Sequence, residues 1–279
     1  MNYKPILIVP GDPDSIFFEI FFKTLMYNKI KSPIILITSI NLLKKYTKKN
    51  RLKIKLFEIK TNELKEKKLK KGLIYILNIN SNLNKNTKKY IGECFNEAFK
   101  ILKQGITDKF LNGPITKKKF LNKKYYGVTE YIAHKFNVKK YAMLIYNRKL
   151  SVCPITTHLP IKMVAKKINK KTIREKVLLI NNFYKKQFKI KPKIGMLGLN
   201  PHCESTNKFN EDDFILKPTI KSLKKSNIKI SGPHSADTCF IKQNRNKFDV
   251  IIGMYHDQVL TPIKTLFEYN AINITLGLP

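Results

Sequence analysis

Short apolar, β-branched runs alternate along almost the whole chain with longer stretches of helical periodicity. Strands are predicted at Ile6–Val9, Ile34–Thr38, Ile54–Ile59, Leu73–Ile79, Lys109–Leu111, Tyr141–Tyr146, Leu150–Thr157, Lys193–Leu199, Ile228–Ser231, Phe248–Met254 and Ala271–Thr275. Helices are predicted around Ser15–Tyr27, Lys88–Lys103, Thr129–Phe136, Ile161–Ile168, Thr172–Lys186 and Glu211–Lys225. Parallel strands need long crossovers, usually helical, so this alternation implies an α/β fold with a largely parallel sheet.

With 279 residues, 43% of them hydrophobic, the chain can build one large domain or two lobes around a cleft. We expect a first lobe over residues 1–130 and a second over 131–279. No apolar stretch reaches the roughly 20 residues of a membrane helix. The early apolar run Ile6–Val9 is interrupted by Gly11-Asp12-Pro13, which reads as a strand entering a loop and not as a signal peptide. A cytoplasmic protein without a membrane partner is the expectation. Cys94, Cys153, Cys203 and Cys239 are too widely spaced for a cysteine metal site and read as free thiols.

The formal net charge is +36, yet only Arg51, Arg148, Arg174 and Arg245 among the 55 basic residues are arginine. Base readout and bidentate phosphate grips favour arginine. Lysine spread evenly among many asparagines and isoleucines reads as compositional drift with solvated faces, so no nucleic-acid partner is expected. The field would still attract small anions.

His158, His202 and His256 each follow a strand-like run: Val152–Thr157, Ile194–Pro201 and Val250–Tyr255. Ligands of open α/β sheets bind beyond the carboxyl ends of strands. Three imidazoles there could hold a divalent metal and leave positions open for substrate. His134 and His234 lack this placement and read as structural or exposed. Dinucleotide fingerprints, phosphate loops, zincin helices and nucleophile elbows are all absent from the sequence. The residues alone reach an α/β protein with a three-histidine site that binds something anionic.

Several segments resemble, in order, the 4-hydroxythreonine-4-phosphate dehydrogenase family. They are Gly11-Asp12-Pro13, Asn112-Gly113-Pro114-Ile115-Thr116-Lys117, Gly127-Val128-Thr129-Glu130, Thr156-Thr157-His158-Leu159-Pro160, Asn200-Pro201-His202, Ala236-Asp237-Thr238, Met254-Tyr255-His256-Asp257-Gln258 and Asn273–Pro279. The resemblance implies a two-lobed α/β/α fold like isocitrate and isopropylmalate dehydrogenases. It implies NAD or NADP as cofactor with a divalent metal (Zn, Mg or Co) on His158, His202 and His256. It also implies a homodimer sharing that metal site across its interface, and a small anionic phosphate substrate contacted by Thr129, Lys264, Asn273 and Asp237. Lys264 and Asp257 would be catalytic. The implied reaction is oxidation and decarboxylation of 4-phosphooxy-L-threonine to 3-amino-2-oxopropyl phosphate in pyridoxal phosphate biosynthesis.

Val128 stands where the family has a substrate-binding histidine, and Asp14-Ser15-Ile16-Phe17-Phe18 replaces a small, glycine-containing stretch. The family also continues past Gly277-Leu278-Pro279 with a substrate-contacting arginine and a segment that completes the first lobe. These departures imply a weakened enzyme. A catalytically impaired remnant and a three-histidine metal-dependent hydrolase are the rival readings.

Overall fold

The computed structural model describes residues 3–80, 86–116, 120, 121, 125, 127–206 and 208–278. The chain divides into two compact units, the first running to Gly127 and the second from Val128 to Leu278.

The first unit is built on five strands: β1 (Ile6–Val9), β2 (Ile34–Thr38), β3 (Leu56–Glu58), β4 (Ile74–Asn78) and β5 (Phe110–Asn112). Their order is β3-β4-β2-β1-β5, with all pairs parallel. All five residues of β2 are buried. This is why the strands read as continuous apolar runs, since a parallel sheet covered on both faces has no polar side. Phe17, Phe18, Phe21 and Phe22 on helix Phe17–Tyr27 are buried, and Phe22 stacks on Tyr46 at 5.5 Å. Tyr46 belongs to helix Ile40–Lys49, which the sequence reading did not predict. Its charged face hid a narrow apolar stripe centred on the fully buried Leu43.

Two loops interlock beyond β1 and β5. Gly11 adopts φ +84°, and a Cβ there would lie 2.2 Å from the Pro114 carbonyl oxygen. A Cβ on Gly113 would lie 1.9 Å from the Pro10 oxygen. The Asp12 N–H donates to Pro114 O at 2.8 Å, the Gly113 N–H to Val9 O at 2.8 Å, and the Thr116 hydroxyl to Asp12 Oδ2 at 2.6 Å. A cavity of about 320 Å³ lies here, lined by Asp12, Asp14, Ser15, Pro114, Ile115 and Thr116.

The second unit holds six strands: β6 (Ala142–Tyr146), β7 (Ser151–Pro154), β8 (Ile194–Leu197), β9 (Ile230–His234), β10 (Val250–Gly253) and β11 (Ile272–Leu276). Their order is β11-β6-β7-β10-β8-β9. The four strands from β7 to β9 are parallel, whereas β11 and β7 flank β6 antiparallel. Helices Lys170–Phe188 and Lys217–Lys225 supply Ile173, Val177, Ile180, Ile220 and Leu223 to the core. The predicted helix Ile161–Ile168 is a short 3₁₀ turn, Ile161–Met163, followed by Val164–Lys167. His234, read from sequence as structural or exposed, ends β9; its Nε2 lies 2.8 Å from Ser231 Oγ and its ring packs on Phe248.

Candidate active site

The three singled-out histidines follow three neighbouring strands. β7 pairs with β10, and β10 with β8, so β10 lies between the other two. Adjacent strands are about 4.8 Å apart, which brings all three strand ends within about 10 Å.

Hydrogen bonds lock the three loops together as they leave the sheet. On the β7 side, the Ile155 N–H donates to Gly253 O at 2.7 Å. The Thr156 N–H and hydroxyl both reach Met254 O, at 3.0 and 2.7 Å. On the β8 side the link is Gln258: its Oε1 accepts from the Met254 N–H at 2.6 Å and its amide donates to Gly198 O at 2.8 Å. Gln258 and His256 sit in the first turn of helix His256–Phe267. Sequence reasoning missed this helix because Pro262 lies inside it and proline ordinarily ends a helical pattern.

The loop carrying His202 needs a stronger hold. His202 and Cys203 both adopt positive φ, 54° and 62°. Each such residue without glycine's freedom costs of order 1–3 kcal/mol and persists only where its surroundings enforce it. Asp212, fully buried, does the enforcing. Its Oδ1 accepts from the Leu199 N–H at 2.9 Å. Its Oδ2 accepts from the Asn200 N–H and side-chain amide at 3.0 and 2.8 Å. Gly198 leaves the room for this, since a Cβ there would meet Cys203 Sγ at 2.7 Å and Asp212 Oδ1 at 2.8 Å.

Each of the three imidazoles has a carboxylate on its Nδ1 side. Asp257 Oδ1 is 2.7 Å from Nδ1 of His256, Glu130 Oε1 is 3.4 Å from that of His158, and Asp237 Oδ2 is 4.0 Å from that of His202. The first is a short hydrogen bond, the second a long one and the third an ion-pair contact only. A carboxylate at Nδ1 favours the tautomer protonated there and leaves the Nε2 lone pair for a cation, the usual arrangement around metal-bound histidine. The Asp237 carboxyl is held below the ordinary aspartate range, chiefly by the Ser235 hydroxyl at 2.6 Å.

The His158 and His256 rings lie 5.9 Å apart, centroid to centroid. Two imidazoles in neighbouring positions on one ion, with metal–nitrogen bonds near 2 Å, have centroids about 5 Å apart, so this pair stands close to that spacing but somewhat wider. His202 does not complete the set within one chain. Among the described residues, no three His, Cys, Asp or Glu side chains gather closely enough to hold a metal ion. The His202 side chain is 75% exposed.

Of the expected substrate residues, the structure brings two to one strand. Thr129, in the first turn of helix Val128–Lys135, meets Thr275 hydroxyl to hydroxyl at 3.1 Å. Asn273 lies two residues before Thr275 on β11 and so faces the same side of the sheet. Lys264 is exposed two turns beyond His256, its Nζ 5.6 Å over the Tyr269 ring. Cysteine chemistry has no place here: burial pushes the thiols of Cys94, Cys153 and Cys239 up to about 12, 11 and 11. All four cysteines are free and buried.

Two α/β units, one of them ending three adjacent parallel strands in carboxylate-backed histidines, define an α/β enzyme of imidazole and carboxylate chemistry. Comparison with known proteins narrows this. The profile of the family described as pyridoxal phosphate biosynthetic protein PdxA matches residues 29–279. The 4-hydroxythreonine-4-phosphate dehydrogenase of Sulfurihydrogenibium sp. (strain YO3AOP1) is 38% identical, over 98% of this chain and 87% of its own length. The protein of that name from Wigglesworthia glossinidia brevipalpis is 35% identical, over 98% and 85%. The crystal structure of the Klebsiella pneumoniae 4-hydroxythreonine-4-phosphate dehydrogenase shares 25% identity and a TM-score of 0.82, covering 99% of this chain and 88% of that one. The chain belongs to the PdxA family, and with it to the oxidoreductases of pyridoxine biosynthesis. That membership decides between the dehydrogenase and hydrolase readings in favour of the dehydrogenase.

Proposed function

We propose that the chain oxidises 4-phosphooxy-L-threonine with NAD or NADP and releases 3-amino-2-oxopropyl phosphate and carbon dioxide. The observation that carries this reading is the set of three histidines just beyond the ends of three adjacent parallel strands, each with a carboxylate on its Nδ1 side. His158, His202 and His256 would hold a divalent cation (Zn, Mg or Co). Since a single chain does not gather the three, a homodimer sharing the site across its interface supplies the remaining donor.

A cation held by the histidines would supply Lewis-acid polarisation of the substrate oxygen, and a bound NAD or NADP would supply the hydride acceptor. The protein's own groups bind and orient. The Lys264 ammonium and the Asn273 amide meet the anionic ends of the substrate, where their donors match phosphate and carboxylate oxygens. The Thr129 hydroxyl adds a further donor beside Asn273. Asp257 keeps the His256 Nδ1 proton in place, while Asp237 offers an acceptor to the substrate ammonium. The secondary alcohol gives up its hydroxyl proton and a hydride to become a ketone. The product is a β-keto acid, which loses carbon dioxide as the carbon–carbon bond to its carboxylate breaks and a proton replaces it.

The test is an assay of purified chain with 4-phosphooxy-L-threonine, following nicotinamide absorbance with each cofactor in turn, with and without a chelator. Reduced nicotinamide that appears only with metal and substrate, together with carbon dioxide release, is the expected result. Turnover that survives chelation and a His158→Ala, His202→Ala or His256→Ala change would overturn the metal assignment.

A further inference from the structure

We propose that Glu130 is a positioning residue for His158, fixing its imidazole so that Nε2 is presented to the cation. This rests on reading His158 as a metal ligand. Glu130 is the third residue of helix Val128–Lys135, and its side chain is only 15% exposed. Its Oε1 has His158 Nδ1 as partner, 3.4 Å away and 28 residues distant in sequence. Its Oε2 is buried with no hydrogen-bond partner, and among the described residues no other buried side-chain nitrogen or oxygen is in that state. A buried, half-satisfied carboxylate is costly, and native chains keep such groups where they serve a site.

Helix capping does not account for it. An acidic residue at the third helical position ordinarily turns back to its own helix's first N–H groups. Here one oxygen goes to His158 and the other to no partner. The helix turn is itself held in place, because the adjacent Thr129 hydroxyl meets Thr275 on β11. Glu130 is therefore braced against one element and aimed at a histidine on another. The three imidazoles then share one plan, with Asp257 and Asp237 serving the other two.

The full chain, labelled with ¹⁵N-histidine and stripped of metal, reports the imidazole tautomers by NMR; five histidines keep the spectrum simple. His158 is expected to carry its proton on Nδ1. In Glu130→Leu the proton should move toward Nε2, and zinc or cobalt affinity, read by competition with a chromophoric chelator, should fall 10- to 100-fold. Glu130→Gln keeps the size and one acceptor oxygen and should lose less. An unmoved tautomer, or an unmoved metal affinity in a variant whose circular dichroism is unchanged, overturns the proposal. A His158→Ala control that leaves metal affinity intact sinks instead the reading of His158 as a ligand, and the tautomer measurement still decides the role of Glu130.

Discussion

The two units end their parallel strands in different ways. Beyond β1 and β5 of the first unit, the loops hold each other through backbone, with glycines at the crossing: Gly113 N–H on Val9 O, Asp12 N–H on Pro114 O. Beyond β7, β10 and β8 of the second, side chains do the holding: Thr156, Gln258 and Asp212. A backbone crossing packs tightly and tolerates no added atom. A side-chain brace can enforce an unfavourable conformation, such as the left-handed pair at His202 and Cys203, and so aim a functional group.

Three substitutions sharpen or break this contrast, and a fourth bears on the site itself. Asp212→Ala leaves the Leu199 and Asn200 N–H groups and the Asn200 amide without their acceptor, so a loss of about 3–5 kcal/mol is expected in denaturant unfolding. Dehydrogenase kcat/KM should fall more than tenfold as the His202 loop relaxes; a full-strength enzyme would show that the brace is dispensable. Gly113→Ala drives a Cβ into Pro10 O and the Phe17 ring, neither of which can yield without moving β1 or its helix. About 3 kcal/mol is expected, confined to the unfolding of the first unit. Equal destabilisation of both units by this variant would contradict their separation. Gln258→Leu strands the Met254 N–H and the Gly198 carbonyl and should cost about 2 kcal/mol in the second unit. Val128→His places a polar donor in the first turn of its helix, next to Thr129, and should raise kcat/KM about tenfold, near 1.4 kcal/mol; no gain would mean that position makes no substrate contact.

The smallest effect concerns pH. Burial first, then Lys247 and Lys224, hold the His234 imidazole below the ordinary histidine range. Its charged form is disfavoured in the folded chain, so the unfolded chain binds the extra proton first. Stability is thus retained at neutral pH and falls as pH drops below about 6.5, until His234 itself is protonated. Thermal melts of His234→Asn should show a shallower decline across that window, and parallel curves would refute it.

The strands were readable because parallel, doubly covered strands are apolar without interruption: Ile34–Thr38 was predicted to the residue, and β1 likewise. The helices at Ile40–Lys49 and His256–Phe267 were not, one masked by its lysines and the other by Pro262. The histidines could be picked out by their place after strands. Of their supports, Asp257 and Asp237 could be named from the resemblance, but Glu130 and Asp212 could not. Glu130 stands 28 residues from His158, and Asp212 stands 13 from Leu199. A carboxylate that far away in sequence looks like any other until the fold brings it in. Gln258 lies next to Asp257 in the segment Met254–Gln258, yet only the fold shows it linking two loops.

The middle strand of the histidine trio is the last of the three to be synthesised. β7 and β8 share no edge of their own; each waits for β10, whose Val250 pairs with Ser151 on one side and Ile194 on the other. While β10 is still inside the ribosome, two parallel, apolar edges stand open with a one-strand gap between them. Joining partners so distant along the chain is slow. An open apolar edge is also a template for pairing with another molecule. The order of the sheet therefore ties the birth of the histidine cluster to the closing of its own most aggregation-prone gap, and a ribosome stalled before β10 would leave both undone.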